Sequence, residues 1–355
     1  MPLRKAPAAA RPGGEPGKRL GNRLLLSLAL TSTLLLVFAL RLDLDNLLDE
    51  LAGTNFAWVG AAVVMNLAAQ YFRALRHHYL LLPARDLPTS GLTGAVIIGA
   101  AINNVLPLRG GSVARMQLIA KRFDVSRPTV AATMAAEIVL DTLIVSAFLV
   151  VGIFALHLGS LLGWIASAVL AASASLLVLA WLLSRSFRHG DAFAEQRLRF
   201  LPETTRKAVG QGLMQFELGW QAVWRARQAA PLVAASAAIW LSESVSYWFF
   251  GLAVDLDLSP LAYLTLVALA NIVTSLAFTP AGLGAFELSV SELLRRLDVS
   301  SGAAGAYVLL SHGVLTLMMM AVAPVAFYLL RVRASDLLYL RRPPEDEPPL
   351  GAGRA

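Results

Sequence analysis

The chain has 355 residues, of which 57% are hydrophobic and only 15% are charged. Because soluble domains carry roughly 25% charged residues, this composition excludes an ordinary soluble protein and predicts an all-α polytopic membrane protein. The 355 residues include no cysteine, which excludes disulfides and thiolate metal sites. The net charge of +7 comes from basic residues in short segments between apolar runs. This distribution is typical of membrane topology and argues against nucleic-acid binding.

The first apolar run, 24–40, follows a basic segment rich in proline and glycine. The run is longer than the apolar part of a usual signal peptide and ends in Arg41-Leu-Asp, without a small-residue cleavage site. We therefore predict a retained transmembrane helix behind a disordered cytoplasmic tail at 1–19. Residues 41–53 are acidic and predict an extracytoplasmic loop, from which the next run, 55–72, returns to the cytoplasm.

A broken apolar stretch occupies residues 92–115, LTGAVIIGAAINNVLPLRGGSVAR. An apolar segment that is interrupted by proline and glycine and closed by arginines favours a re-entrant hairpin over a complete crossing. Both flanks of the stretch are basic, and only a hairpin keeps both flanks in the cytoplasm. The predicted hinge residues of this hairpin are Pro107, Gly110 and Gly111.

Four further apolar runs are long enough to cross the membrane. Runs 129–156 and 159–183 are joined by a very short loop and predict an antiparallel pair, whereas runs 230–253 and 303–330 cross singly. Between these groups lies the segment 185–229, which is basic and amphipathic. It predicts either a helix on the cytoplasmic membrane surface or a solvated loop with a short helix.

A second broken stretch, 260–287, must enter from the outside if both tails are cytoplasmic. Its hinge residues Pro280, Gly282 and Gly284 repeat the Pro-x-x-x-Gly spacing of the first hairpin. Two such interrupted segments in corresponding places of two halves point to an inverted-repeat transporter and its binding site. The prediction is six full transmembrane helices plus two oppositely entering hairpins, in a domain at 20–335 with halves at 20–184 and 230–335, followed by a disordered cytoplasmic tail at 336–355.

Four motifs, in order, resemble the flippase-like transmembrane domain of lysylphosphatidylglycerol synthases. They are Arg73-Ala-Leu-Arg76, Asn-Asn-x-x-Pro-x-Arg-x-Gly-x-x-x-Arg at 103–115, Glu137-x-x-x-Asp141, and Pro-x-Gly-x-Gly-x-x-Glu at 280–287. The resemblance covers nearly all of the predicted domain and implies a stand-alone lipid flippase.

Two positions depart from the pattern of that family. Ser112 and Ile138 stand where the family usually has a glutamate and an arginine, so the resemblance leaves the lipid headgroup open. The soluble aminoacyl-transferase domain of the synthases is not found in the 355 residues. Lipid aminoacylation by this chain is therefore not expected.

Ionisable side chains inside the membrane are the candidates for chemistry, because each costs at least about 2.5–3.5 kcal/mol at a helix centre. Glu137 and Asp141 share one helix face. If these two carboxylates face Arg109 or Arg115, these side chains form either a charge network that couples transport or a static ion pair. Arginine also suits the phosphate oxygens of a lipid headgroup. The full candidate set for substrate binding is Arg73, Arg76, Asn103, Asn104, Arg109, Arg115, Glu137, Asp141, Glu243 and Glu287.

Structural roles compete with several of these assignments. Arg76 also suits an ordinary topological anchor, and the amides of Asn103 and Asn104 suit the freed backbone groups of a hairpin tip. His312 is predicted to be a hydrogen-bonded packing residue. The adjacent histidines at 77–78 face different sides of a helix with no third ligand nearby, so no metal site is predicted. No cofactor is predicted either, since the sequence has no nucleotide-binding, protease or esterase motif.

The sequence thus predicts a flippase of the bacterial inner membrane, with both termini cytoplasmic. It would move a phospholipid or a lipid-linked precursor between leaflets through a polar cavity lined by the two hairpins. The alternative is a membrane-embedded transferase, or an accessory subunit, that acts on a lipid made by a partner enzyme. A membrane lipid is the expected substrate, whereas a partner lipid-synthesis enzyme and a homo-oligomer stay open.

Overall fold

The computed structural model describes residues 16–106, 110–187, 189–276 and 279–332. Every regular element in these residues is helical. The first seven helices are α1 (Pro16–Ala39), α2 (Leu44–Ala52), α3 (Phe56–Leu81), α4 (Thr89–Val105), α5 (Gly110–Phe123), α6 (Arg127–Ala155) and α7 (Ser160–Phe187). The others are α8 (Gly190–Arg197), α9 (Glu203–Trp224), α10 (Ala226–Ala253), α11 (Pro260–Leu276), α12 (Ala285–Arg296) and α13 (Ser301–Leu329), with a 3-10 turn at Pro280–Gly282.

The chain is a multi-pass helical membrane protein. Within the described residues, four helices are long and apolar enough to cross a membrane: α6, α7, α10 and α13. A fifth crossing is formed if α2 and α3, which meet at a bend of 81°, act as one span. The described apolar part of α1, Leu26–Ala39, is a shorter helix. The predicted fold class is confirmed, while the predicted six full crossings exceed the four or five that length and composition support.

Two series of helices repeat one another. The series α3–α4–α5–α6 and α10–α11–α12–α13 have matching lengths, with 17 residues in both α4 and α11 and 29 in both α6 and α13. The first helices of the two series pack against each other along their length. They run antiparallel, because the Asn55 amide donates to the Ala253 carbonyl at 2.9 Å and the Ser246 hydroxyl donates to the Ala62 carbonyl at 2.8 Å. The two series are therefore inverted relative to each other.

The packing between the two series is reciprocal. Helix α4 of the first series lies against α13 of the second, and α11 of the second lies against α6 of the first. In the first contact Gly94 faces the Leu330 side chain closely, and in the second Gly152 faces Thr265. Each hairpin thus begins with a helix that packs on the last helix of the other series.

A short sequence repeat marks equivalent corners of the two series. Asp124-Val125-Ser126 follows α5 and Asp298-Val299-Ser300 follows α12. Both aspartates have positive φ, at 50° and 61°, and both valine amides donate to the carbonyl five residues earlier at 3.1 Å. Each serine then accepts the amide of the third residue beyond it and so caps α6 or α13. This shared Asp-Val-Ser is the signal in the sequence that would have strengthened the repeat prediction.

The structure describes more of the tip of the second hairpin than of the first. Residues 107–109, which include the predicted hinge Pro107 and the candidate Arg109, lie outside the described residues, as do 277–278. At the second tip the chain makes the turn at Pro280–Gly282. Gly282 and Gly284 have φ of +76° and +83°, a region that glycine adopts at no steric cost. These two glycines therefore form the turn of the second tip, and their role as a hinge stays a prediction.

Two connecting segments differ from their predictions. The acidic segment 41–53 contains α2, because Asp43 caps a stretch whose leucines recur at helical spacing. The segment 185–229 contains both α8 and α9, so it is neither one helix nor a loop with one short helix. Helix α9 packs on α6 and also on α3, α7 and α10. Trp220 is only 5% exposed, so this face of α9 meets protein.

Adding a methyl group at Gly152 is expected to destabilise the crossing of α6 and α11. In Gly152→Ala the new Cβ overlaps the Thr265 hydroxyl and lies 2.8 Å from its Cβ, and such overpacking costs about 1–3 kcal/mol. The measurement is the midpoint of unfolding in mixed detergent micelles. Gly313→Ala is the control, since a Cβ there meets nothing within 4 Å. An equal midpoint for the two variants would contradict the packing.

Candidate functional site

A polar cavity lies at the centre of the helical bundle. It consists of two adjoining chambers of about 410 Å³ and about 240 Å³, which share Gln70, Arg73, Ala100, Asn104, Asn271 and Thr274 in their walls. The walls come from both hairpins and from the long helices α3, α6, α10 and α13. A polar chamber of this size within an apolar bundle is a site for a ligand with a polar group.

The Arg76–Asp141 pair links α3 to α6 at the wall of the larger chamber. Arg76 is only 1% exposed, and its guanidinium donates to both oxygens of Asp141 at 2.6 Å and 2.7 Å. The same guanidinium lies 3.4 Å from the Ser236 hydroxyl of α10. This bidentate geometry is the strong form of an arginine–carboxylate pair. Arg76 is therefore an internal cation of the bundle and lies far from the water-facing position of a simple anchor.

The Arg73–Glu243 pair joins α3 to α10 where the two chambers meet. A guanidinium nitrogen lies 2.5 Å from the Glu243 carboxylate, and the two side chains are 19% and 12% exposed. The guanidinium carbon also lies 5.6 Å from the centre of the Trp240 ring, which suits a cation–π contact. Both partners border the cavity, so this pair is open to a ligand there.

A third cluster connects the first hairpin to α3 and α6. The Arg115 guanidinium of α5 lies 3.1 Å from Glu137 of α6 and 2.7 Å from Nδ1 of His77 of α3. The same Nδ1 lies 3.1 Å from the Glu137 carboxylate, and Nε2 lies 3.4 Å from the Thr133 hydroxyl. Hairpin and long helices are thus held together by one fully buried histidine and an ion pair.

The first hairpin presents its polar residues to the larger chamber. Asn103 accepts the Gly111 amide at 2.8 Å, so one of the two predicted asparagines closes the hairpin. Asn104 borders both chambers. Ser112 and Ile138, the two departures from the family pattern, also line the larger chamber. At these two positions of the cavity wall, the charged side chains usual in the family are replaced by a hydroxyl group and by a hydrocarbon side chain.

In the second hairpin, Glu287 lies beside the smaller chamber. It is buried, its Oε2 accepts the Gly284 amide at 2.6 Å, and its Oε1 lies 2.6 Å from Nδ1 of His312. His312 itself lines the chamber together with Phe286 and Ala281. The prediction of a hydrogen-bonded packing histidine therefore describes His312 only in part.

The structure brings together most of the predicted candidates. Eight of the ten line one or both chambers, namely Arg73, Arg76, Asn103, Asn104, Arg115, Glu137, Asp141 and Glu243. Glu287 is adjacent through His312, and Arg109 lies outside the described residues. Among those residues, no three His, Cys, Asp or Glu side chains are grouped to hold a metal ion.

Several residues of the cavity wall were not predicted. Asn66 and Gln70 of α3 lie seven and three residues before the predicted Arg73, which places them on the same helix face as that residue. Asn271 and Thr274 of α11 line both chambers. A count of polar residues at helical spacing within the apolar runs would have identified both sets.

The sequence is similar to a known protein family and to a curated protein. The family described as "Lysylphosphatidylglycerol synthase TM region" matches residues 24–323. A protein of Haloferax volcanii named glycosyltransferase AglD is 25% identical over 321 residues, which cover 81% of this chain and 51% of that protein. The chain therefore spans about half the length of this curated relative. No solved structure matches the chain.

Proposed function

Because the chain belongs to the lysylphosphatidylglycerol synthase transmembrane family, we propose that it moves a phospholipid or a lipid-linked precursor between the leaflets of a membrane. The observation that carries this proposal is the polar cavity of about 410 Å³ between two hairpins, in a chain that is otherwise apolar. A lipid headgroup needs such a polar route through the bilayer, whereas its tails do not.

The wall of the cavity supports this role through its paired charges. Arg73, Arg76 and Arg115 each face a carboxylate inside the bundle. A headgroup phosphate offers the arginine fork the same two-oxygen geometry as a carboxylate. A headgroup can therefore take the place of a carboxylate on an arginine, so that the arginine is not left unpaired at a cost of about 3–5 kcal/mol, while the released carboxylate turns to the water of the chamber. We infer that headgroup passage proceeds by such exchange of partners, beginning at the more exposed Arg73–Glu243 pair.

The decisive test is lipid movement in vesicles that contain the purified chain. Fluorescent phospholipids with anionic, zwitterionic and cationic headgroups report movement when a membrane-impermeant quencher removes the outer-leaflet signal. We expect the protein to accelerate movement of at least one headgroup class over protein-free vesicles. Equal rates with and without protein, across the whole panel, would contradict the proposal.

Removal of the charge at position 73 is expected to slow this movement. Arg73→Gln keeps a polar side chain but loses the guanidinium, and one charge-assisted hydrogen bond is worth about 1.5–3 kcal/mol, or roughly a tenfold to hundredfold change in rate. The control is Lys207→Gln on α9, whose side chain is 65% exposed and pairs only with Glu203 at the surface. A rate for Arg73→Gln equal to that of the control would exclude Arg73 from the route.

A second candidate function is favoured by the relative from Haloferax volcanii, which is named a glycosyltransferase. On this alternative the chain is a membrane-embedded transferase, or an accessory subunit, for a lipid made by a partner enzyme. An assay in detergent solution distinguishes the two functions, because detergent micelles have no two leaflets between which a lipid could move. A transferase forms product in detergent and loses that activity in Glu137→Gln and Asp141→Asn, whereas a transporter shows no turnover.

The proposal includes an orientation. We propose an inner-membrane location with both ends of the domain in the cytoplasm, supported by Arg85 after α3, by Lys121 and Arg122 at the end of α5, and by the acidic segments 43–50 and 255–257 between other helices. Labelling of single introduced cysteines in intact cells tests this orientation, since the 355 residues contain none of their own.

A further inference from the structure

His312 has an acceptor at each of its ring nitrogens. Nδ1 lies 2.6 Å from the Glu287 carboxylate, and Nε2 lies 3.1 Å from the Ala281 carbonyl. The ring is also held in place by Phe286, whose centroid is 4.3 Å away. A carbonyl oxygen only accepts, so Nε2 must carry a proton to bond with it. The second proton that the geometry requires must lie between Nδ1 and the carboxylate.

The proton count of this arrangement follows from the chemistry of imidazole. A neutral imidazole has only one N–H donor, which Nε2 uses. The short contact at Nδ1 is then satisfied in one of two ways, by an imidazolium beside a carboxylate or by a neutral imidazole beside a protonated Glu287. Both forms carry one proton more than a carboxylate with a neutral imidazole. The two contacts of His312 together fit a pair that holds this extra proton.

This pair fastens the tip of the second hairpin to α13. Glu287 binds the Gly284 amide on one side and His312 on the other, and His312 binds the Ala281 carbonyl. Ala281 has φ of 52°, a left-handed conformation that a non-glycine residue keeps only when its surroundings impose it. Loss of the extra proton leaves two acceptors facing each other at 2.6 Å or 3.1 Å. The contact that holds the tip then becomes repulsive.

Few other charges face the pair from the surrounding helices. Across the smaller chamber lie Arg73 of α3, which is paired with Glu243 of α10, and the hydroxyl of Tyr247. Helices α4 and α11 contribute only neutral polar groups to that chamber, namely Asn104, Asn271 and Thr274. Helix α2 meets α13 at Gly302 and Gly305, about two turns before His312. The remaining charges of α12 lie at its other end, at Glu292, Arg295 and Arg296.

We propose that Glu287 and His312 form a proton-binding site that closes the second hairpin when it is occupied, and that the lipid movement proposed above is thereby coupled to protons. The coupling of lipid movement to protons rests on the proposed transport function, whereas the proton-binding site itself does not depend on that function. Since the closed tip holds an extra proton, lower pH favours closure and higher pH favours release. The site borders the cavity, so a proton and a headgroup reach it by the same chamber.

Glu287→Gln is the informative variant, because it keeps every hydrogen bond and removes the carboxylate beside which the extra proton is held. The glutamine amide donates to Nδ1 of His312, its carbonyl accepts the Gly284 amide, and Nε2 of His312 still donates to Ala281. We expect this variant to fold and to hold the tip closed without an extra proton. His157→Gln is the matched control, since His157 is an exposed histidine in the turn between α6 and α7.

The first experiment determines the proton count without any transport. In the purified full chain, ¹⁵N resonances of the histidine rings are assigned to His312 by their loss in His312→Gln. The infrared band of a protonated carboxyl is assigned to Glu287 by its loss in Glu287→Gln. At pH 6 we expect either a doubly protonated His312 ring or a protonated Glu287. A neutral ring beside an ionised Glu287 would overturn the proton site.

The second experiment measures the coupling in vesicles with the pH set between about 5 and 8, where histidine changes charge. One linked proton changes the equilibrium by at most about tenfold per pH unit. We expect wild type and His157→Gln to respond to pH within that limit and Glu287→Gln to lose the response. An unchanged response in Glu287→Gln would overturn the coupling. If no lipid moves under any condition, the transport proposal fails, while the spectra still decide the proton site.

Discussion

Asp141→Ala is expected to lower the free energy of unfolding by about 3–5 kcal/mol, the usual cost of leaving one partner of a buried ion pair alone. The reason is Arg76, whose side chain is 2% exposed and makes both of its short bonds to Asp141. Without the Asp141 carboxylate, the described partner left to this guanidinium is the Ser236 hydroxyl at 3.4 Å. Unfolding in mixed micelles, followed by circular dichroism, measures the change.

Two controls separate the stranded charge from a simple loss of contact. The double variant Arg76→Met with Asp141→Leu removes both charges and fills similar volume, so most of the lost stability is expected to return. Lys207→Ala breaks an exposed pair with Glu203 on α9 and is expected to change stability by less than about 1 kcal/mol. If Asp141→Ala costs no more than Lys207→Ala, Arg76 reaches water in solution and the enclosed pair is wrong.

Gly111→Ala is expected to abolish lipid movement by forcing the first hairpin apart. A Cβ at this position overlaps the Gly99 carbonyl oxygen and lies 2.7 Å from both the amide nitrogen and the side-chain oxygen of Asn103. These are backbone atoms of α4 and the amide that closes the tip, so they cannot yield as a flexible side chain does. Overpacking of this kind costs about 1–3 kcal/mol, and the hairpin accommodates it by moving Ser112 and Arg115 away from the cavity.

The adjacent glycine supplies the matched control for that variant. A Cβ at Gly110 meets only the Leu106 side chain, at 3.3 Å or more, so Gly110→Ala is expected to keep at least half of the wild-type rate. Both variants add one methyl group to the same end of α5. The vesicle assay and the unfolding midpoint are measured for each. Similar rates for the two would show that close approach of the hairpin arms is not needed for movement.

The sequence predicted the architecture because its signals are periodic and long. Apolar runs predicted α6, α7, α10 and α13, and the Pro and Gly interruptions predicted the breaks between the packed helices α4 and α5 and between α11 and α12. The predictions were less accurate where a charged segment also has helical spacing, as in α2. The sequence also indicated where the cavity lies, because each charge inside an apolar run needs a buried partner.

The identity of each partner could not be predicted from spacing. Glu137 and Asp141 share a face of α6 and were expected opposite Arg109 or Arg115. The structure pairs Glu137 with Arg115, one of these two expected partners, but pairs Asp141 with Arg76. The choice depends on how α3 and α5 are rotated against α6, which is a property of the packed bundle. His77 joins the cluster for the same reason, although its neighbour His78 faces away and bonds to the Leu87 carbonyl.

The reciprocal packing of the two series affects the order in which the protein assembles. Gly94 of α4 rests on Leu330, which follows the last helix, so the first hairpin lacks its final neighbour until almost the whole domain has been synthesised. Contacts between residues so distant in the chain form late. During insertion the apolar face of α4 must therefore be covered by lipid or by the insertion machinery. In a nascent chain that stops before α13, a photocrosslinker on that face of α4 is expected to capture lipid or the insertion machinery, and in a complete chain to capture the end of α13.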